Sequence, residues 1–327
     1  MQSFSETEAV AAMNRWGKER KPFLFVVSYD RQTTCMQPLE SLSPEECLYD
    51  FRGRTNVVSE ASPGITGFRW ATDRPSTEAY RKSFDRVMAG LLRGDSYLVN
   101  LTCRIALHTD LSLLDIFHLA RAPYRLWMKG KMVCFSPESF VTIRGRRISS
   151  FPMKGTIDAT LPDAEKLLLA DEKEAAEHAT IVDLIRNDLS MVADDVEVAR
   201  YRYTDCIETR QGAILQTSSE IAGTLADDWH ERIGDILFSQ LPAGSITGAP
   251  KKRTVEIIAE AEHYDRGFYT GVTGLFDGRG LDSAVMIRFV DVDADGMWYK
   301  AGGGITARSD RDREYREILE KIYVPLR

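Results

Sequence analysis

The chain is poor in the residues that mark metal, redox and disulfide chemistry. Its 327 residues include five cysteines and five histidines. Cys35, Cys47, Cys103, Cys134 and Cys206 are scattered, odd in number and form no CxxC pair. That pattern excludes a zinc knuckle and a disulfide framework and fits a reducing cytoplasm. No HxxxH or HExxH spacing occurs, so a histidine-bound zinc enzyme is not expected. Positive charge is also short: 42 Lys and Arg against 49 Asp and Glu leave a formal net charge of -7. Such a balance argues against a nucleic-acid or anionic-membrane partner. No run approaches the roughly 18 apolar residues that span a bilayer, and the opening MQSFSETEAVAAMNRW lacks the apolar core of a secretion signal. The glycine cluster Gly302-Gly303-Gly304 has no GxGxxG spacing, which removes a Rossmann dinucleotide site. What is left is ordinary globular composition, 43% apolar and 28% charged, in an acidic protein that must gather cations locally if it binds an anion.

No repeat or low-complexity tract divides the chain. Residues 22–28 read as a buried strand, followed by a polar loop and a short helical stretch after Ser43-Pro44, and residues 60–78 read as irregular. Phe84, Val87, Met88 and Leu91 recur at helical spacing, and Arg93-Gly94-Asp95 turns the chain into the strand YLVNLTCRIAL. Strands follow at 131–136 and 141–149. Residues 163–188 and 251–262 have helical patterns, the latter with Pro250 near its first turn. GVTGLF, SAVMIRFV and MWYKAGGG read as consecutive antiparallel strands, and a closing helix starts at Ser309 with Asp312 three residues on. Strands in runs interrupted by helices predict an α+β architecture.

Several segments point to chemistry. In Phe151-Pro152-Met153-Lys154-Gly155-Thr156, Pro152 fixes the backbone and Gly155 permits close approach of a ligand, so Lys154 is a candidate nucleophile. A solvated lysine is the alternative. Glu138, after Ser136-Pro137 and between apolar strands, is either a turn residue or a general acid with a raised pKa. Glu314 and Glu317 share a helix face, and Glu177 lies on another helix; they form solvated faces or a Mg²⁺ site of carboxylate oxygens. The run Ala243 to Lys251 leads small residues into a helix start, an anion site or a plain cap. Gly302, Gly303 and Gly304, at a strand end, offer further N–H donors, and Arg288 within VMIRFV needs a carboxylate partner from substrate or protein. Together these elements suggest a metal-assisted enzyme acting on a small, multiply anionic molecule.

The segments GDSYLVNLT (94–102), SPESF (136–140), PMKGT (152–156), EHATIVDLIRNDLS (177–190), GSITGAPKKRTVEIIAEAE (244–262), MIR (286–288) and AGGGITARSDRDREYREILEKI (301–322) resemble the chorismate-utilising enzymes. The resemblance covers residues 80–327 in family order. The family includes anthranilate synthase component I, aminodeoxychorismate synthase component I and the isochorismate and salicylate synthases. It implies a sandwich of two mainly antiparallel sheets with helices outside and the active site between. Residues 80–327 would be the chorismate-binding catalytic region, and residues 1–79 a shortened N-terminal part packed on the same body, in one domain. Lys in the P-x-K-G-T motif is similar to aminodeoxychorismate synthases, whereas anthranilate synthases carry Ala. Leu98 stands where the isochorismate and salicylate synthases have a water-activating lysine and the amination enzymes usually have Gln.

Carried over by position, the resemblance implies that Lys154 attacks ring C2 of chorismate while Glu138 protonates the departing C4 hydroxyl. Ammonia then adds at C4 and expels the lysine, giving 4-amino-4-deoxychorismate on the route to 4-aminobenzoate and folate. Glu177, Glu314 and Glu317 match the Mg²⁺ acids. Arg288, Thr247, Gly248 and the amides of Gly302, Gly303 and Gly304 match carboxylate-binding groups, with Tyr269 on a strand edging the pocket. Two departures stand out: Gln216 replaces a family histidine linked to later ring chemistry, and Leu98 replaces a substrate contact. The segment Phe25–Asp30 is a possible remnant of the tryptophan pocket of longer members. No glutaminase-type cysteine elbow is visible, so ammonia would come from a separate glutamine amidotransferase subunit. Alternatives are anthranilate synthase component I and a non-catalytic subunit that binds chorismate or an aromatic amino acid to regulate a partner.

Overall fold

The computed structural model describes residues 1–58, 65, 67–209 and 212–322, and has two mainly antiparallel sheets with eight α-helices among those residues. Strand alternation explains the layering. Phe23–Val27 is buried on both faces. Phe23, Phe25 and Val27 pack against Ala9, Met13 and Trp16 of the helix Glu6–Lys18 and share a core with Ile181 and Ile185 of the helix Glu172–Ser190. Leu24 and Val26 turn the other way and join Tyr49, Phe51, Tyr124 and Leu126 from the second sheet. In that second sheet, Val99, Leu101, Ile105 and Leu107 of Leu98–Thr109 face Phe84, Val87, Leu91 and Ile257 on the helices Thr77–Leu92 and Lys251–Ala261. Period-two burial on strands and a buried stripe on each helix therefore build helix, sheet, sheet, helix. The α+β sandwich expected from the sequence is the fold observed.

The N-terminal residues take part in both sheets. Phe23–Val27 pairs with Thr34–Pro38 and Val272–Phe276, while Cys47–Phe51 pairs with Tyr124–Met128. Ser43-Pro44 leads into a turn before Cys47–Phe51, not a helix. Residues 141–149 are two strands, Ser139–Arg144 and Arg147–Ser150, folded back at Gly145 (φ +60°). The helical pattern of 163–188 is interrupted at Asp171, whose side chain accepts from the Glu174 amide and starts a new helix. Asp310, not Ser309, caps the last helix, Arg311–Glu320. Within 60–78, Trp70–Thr72 forms a strand and Thr77 opens a helix; residues 59–64 and 66 lie outside the described residues.

The largest departure concerns SAVMIRFV. It is not one strand: Leu281–Val285 belongs to the first sheet and Phe289–Asp293 to the second, and the chain crosses between sheets at 286–288. Arg288 adopts φ +53° there. Ser136-Pro137-Glu138-Ser139 is a second crossing, from Met132–Ser136 to Ser139–Arg144. The two crossings lie side by side, because the Val285 amide donates to the Glu138 carbonyl and the Phe135 amide to the Arg288 carbonyl (3.1 and 3.0 Å).

A buried ion pair ties the neighbouring loops to the second sheet. Arg266 and Glu262 have side chains 2% and 3% exposed and meet at 2.7 Å. Arg266 also donates to the carbonyls of Asn100 (2.7 Å) and Ile246 (3.2 Å) and to the Thr270 hydroxyl (3.2 Å). Glu262 accepts from the Thr102 amide and hydroxyl (2.7 and 2.8 Å). Removing one partner strands a charge in the interior. Glu262→Ala is therefore expected to lower unfolding free energy in urea by about 3–5 kcal/mol. A loss under about 1 kcal/mol, the range of exposed pairs, would show the network to be dispensable.

Candidate active site

Lys154 lies on the strand Met153–Asp158, which pairs with Gly212–Thr224 through an irregular register between Met153 and Thr156. Gly155, at φ +81°, sits in that irregularity, where a side chain would also press on Leu168 and Glu174. The bulge re-aims its neighbour. The Lys154 amine reaches the second sheet, 3.2 Å from where a Cβ on Gly304 would stand, with a Leu98 methyl 3.1 Å from the same point. A side chain at 304 would press on both.

Glu138 belongs to one sheet crossing and Arg288 to the other. The Glu138 carboxyl accepts from the Ser245 hydroxyl at 2.5 Å. Its side chain is partly accessible, yet the carboxyl lies deep among protein atoms. Burial pushes its pKa up, opposed by the Ser245 hydrogen bond and by the charges of Lys154, Arg288 and Lys321. Burial wins, so the protonated acid persists to higher pH than in an ordinary glutamate. Three cations and one reluctant acid therefore share a site in a chain of negative net charge.

The small-residue run forms a close-packed wall. Gly248 (φ +125°) pairs with Val99, and a Cβ there would fall 1.8 Å from the Leu98 carbonyl oxygen, so glycine is obligatory. Thr247 is fully buried; its carbonyl accepts from the Asn100 amide (2.9 Å), and Tyr29 approaches its hydroxyl. Pro250 stands at the N-cap of the helix Lys251–Ala261 without a side-chain cap bond, and the Ser245 hydroxyl serves Glu138. Tyr269 is 3% exposed and sits in the turn before Val272–Phe276, not on a strand. Gly302, Gly303 and Gly304 lie within Gly296–Ile305, opposite Thr102, Leu101 and Asn100 on one edge; on the other edge Phe289–Asp293 pairs only with residues 296–300, and the Gly302 carbonyl accepts from Lys321.

Glu314 and Glu317 converge: both carboxylates lie 3.9 Å from where a Cβ on Gly303 would stand. Glu177 stands on the helix Glu172–Ser190, and among the described residues no group of three or more His, Cys, Asp or Glu side chains is spaced to hold a metal ion. The Glu314 and Glu317 pair, hard oxygen donors across a glycine, still fits Mg²⁺, which is commonly held by one or two carboxylates with substrate and water completing its shell.

Two site residues escaped the sequence reading. Lys321, one turn after Glu317, pairs with it at 2.7 Å and donates to the Gly302 carbonyl at 3.1 Å. Burial and the nearby Lys154 and Arg288 hold its pKa below the usual lysine range despite Glu317. Its i,i+4 spacing from Glu317 was the available signal. His178, beside Glu177, is buried and shares a 2.6 Å hydrogen bond with the Ser219 hydroxyl. Burial, then Arg202 and Lys154, push its pKa down to about 4. It is neutral at physiological pH. Gln216 lies across from Thr156 on the strand next to Lys154.

A family model described as chorismate binding enzyme matches residues 28–327. An uncharacterized PabA-like protein of Haemophilus influenzae is 48% identical over 314 residues, covering 96% of this chain and 95% of the relative. Anthranilate synthase component 1 1 of Haloarcula marismortui is 34% identical, covering 89% of this chain and 63% of the relative. Aminodeoxychorismate synthase component 1 of Salmonella typhimurium is 32% identical, covering 81% and 61%. Among solved structures, the menaquinone-specific isochorismate synthase MenF of Escherichia coli superposes with a TM-score of 0.72 at 16% identity, covering 98% of this chain and 82% of that one. No helix among the described residues is long and apolar enough to cross a membrane.

The buried histidine makes stability depend on pH. Between about 4 and 6.5 the unfolded chain binds a proton at position 178 that the folded chain refuses. Stability from this group is thus present above pH 6.5 and is lost as pH falls through the window. His178→Gln is expected to flatten that part of the acid-denaturation curve relative to wild type. Parallel curves for the two proteins would show that position 178 does not titrate as described.

Proposed function

This chain belongs to the chorismate-binding enzyme family, and we propose that within it the protein aminates chorismate at C4 to 4-amino-4-deoxychorismate. The observation that carries this reading is the placement of Lys154: its amine is in the electrostatic field of Glu138, and Leu98 rather than a second basic group stands beside it at Gly304. Glu138, whose pKa burial raises, gives its proton to the C4 hydroxyl, and the Lys154 amine forms a bond to C2 as water departs. Ammonia then bonds to C4, the C2–nitrogen bond breaks, and its electron pair returns to Lys154. The enolpyruvyl group is retained throughout. Arg288 and Lys321 offset the substrate's carboxylate charges near Glu138. Glu314 and Glu317 would hold Mg²⁺, which when bound neutralises a substrate carboxylate. A separate glutamine amidotransferase subunit would supply the ammonia. Anthranilate formation is the competing reading, and Lys154 together with Gln216 in place of the family histidine favours retention of the enolpyruvyl group.

Mass spectrometry of products from the pure chain with chorismate, Mg²⁺ and ammonium is the direct test. Magnesium-dependent 4-amino-4-deoxychorismate is expected, and anthranilate as the product would overturn the proposal. Lys154→Ala should abolish the covalent adduct, and an unchanged amination rate would remove the nucleophile assignment. Glu138→Gln should slow turnover by roughly 10²–10⁴-fold, the usual contribution of a general acid. Because the acid form is required, activity should fall as pH rises through the raised Glu138 pKa. Ser245→Ala deletes a hydrogen bond that favours the carboxylate, so it should move this alkaline limb to higher pH; an unmoved limb would assign the titration to another group.

A further inference from the structure

Glu138 lies within the influence of the charges of Lys154, Arg288 and Lys321. It also lines a cleft between the strands Ser139–Arg144 and Arg147–Ser150, the helix Glu172–Ser190 and the segment 240–245. Its polar lining is Glu138, Ser139, Ser150, Asp188, Gln240 and Ser245, and it includes two carboxyls and no Lys or Arg. The volume open to the centre of a water-sized molecule is about 20 Å³. One water needs roughly 10–15 Å³ by this measure, so the cleft holds something of that size. Asp188 is only 8% exposed. Lys251 binds its Oδ2 at 2.7 Å and also donates to the Gln240 carbonyl at 2.6 Å, while remaining outside the lining. Gly244 lets the loop pass close to Asp188 Oδ2, 3.2 Å from where its Cβ would be. The site is therefore small, with its polar groups set in a wall that also includes Phe140, Val141, Pro152, Ile185 and Ala243, and with Asp188 held by its ion pair to Lys251.

We propose that this cleft binds the second substrate, taking one ammonium ion and releasing it as ammonia beside the carbon from which Glu138 has just removed water. Ammonium has four donors and no acceptor, which matches a lining of carboxyl, hydroxyl and carbonyl oxygens. Glu138, a carboxylate after protonating the departing hydroxyl, takes a proton from ammonium, and the electron pair of that N–H bond stays on nitrogen. That pair forms the bond to C4 as the C2–Nζ bond breaks and returns its electrons to Lys154. Glu138 ends protonated, ready for the next turnover. The inference rests on the amination reading and adds a site to it.

Steady-state kinetics with the full chain, saturating chorismate and varied ammonium chloride test it. Asp188→Asn is expected to raise the ammonium KM about tenfold, in line with loss of one charge-assisted hydrogen bond, with the chorismate KM unchanged. A wild-type ammonium KM in a variant that still aminates would overturn the site while leaving the amination reading intact. Absence of any nitrogen-containing product from wild type would instead overturn the reading on which it rests. Should Asp188→Asn fail to fold because Lys251 is left unpaired, wild-type crystals soaked in rubidium, an ion close to ammonium in size, decide. An anomalous peak between Glu138 and Asp188 is expected, and none there would overturn the site.

Discussion

The buried pair of Arg266 and Glu262 is the constraint on which the site's geometry depends. A guanidinium and a carboxylate lost to water must satisfy their hydrogen bonds within the protein. Arg266 does so by binding the carbonyls of Asn100 and Ile246 and the Thr270 hydroxyl, and Glu262 by binding Thr102. These partners lie on the strand carrying Leu98, on the run carrying Ser245, Thr247 and Gly248, and in the turn carrying Tyr269. One desolvated interaction thereby sets the mutual position of three segments far apart in sequence. Tyr29 closes the arrangement from the N-terminal part, its ring 4.4 Å from the Arg266 guanidinium.

On that frame the chemistry is concentrated where the chain changes sheets. Each of the two crossings interrupts ladder pairing, which frees a short stretch of chain to turn a side chain into the space between the layers. Glu138 occupies one and Arg288 the other, and reciprocal backbone hydrogen bonds keep them in register. The left-handed backbone of Arg288 is the local cost of this geometry for a residue with a Cβ. Lys154 arrives from the opposite direction, projected by the bulge at Gly155 toward Gly304.

Electrostatics then separates roles among like residues. Glu138 meets three cations and still has a raised pKa, because desolvation outweighs their attraction. Glu317 meets Lys321 directly, and Asp188 is held by Lys251. Three acids in one region thus have different partners, Glu138 among three cations, Glu317 against Lys321 and Asp188 against Lys251, while burial raises the pKa of both Glu138 and Asp188. An acidic protein can present a cationic face to a multiply anionic ligand because Lys154, Arg288 and Lys321 are gathered locally, whatever the net charge.

Much was legible in the sequence because it is written in local terms. A continuous apolar run marked Phe23–Val27 as a buried strand, a period-3.6 pattern marked the helix Thr77–Leu92, and strands in runs interrupted by helices gave the α+β class. Motif resemblance singled out Lys154, Glu138, Arg288, Glu314 and Glu317. The misreadings have a common cause: continuity of apolar residues does not reveal which sheet a strand joins. SAVMIRFV reads as one strand, but its two halves satisfy their backbone groups in different sheets, and only long-range pairing decides that. Likewise, spacing marked Glu314 and Glu317 as neighbours but was silent on Glu177, whose distance from them is set by how separate helices pack. The raised pKa of Glu138, the buried neutral state of His178 and the cleft beside Asp188 arise from desolvation and enclosure. Those are properties of the space around a residue, and that space exists only once the two sheets have closed on each other.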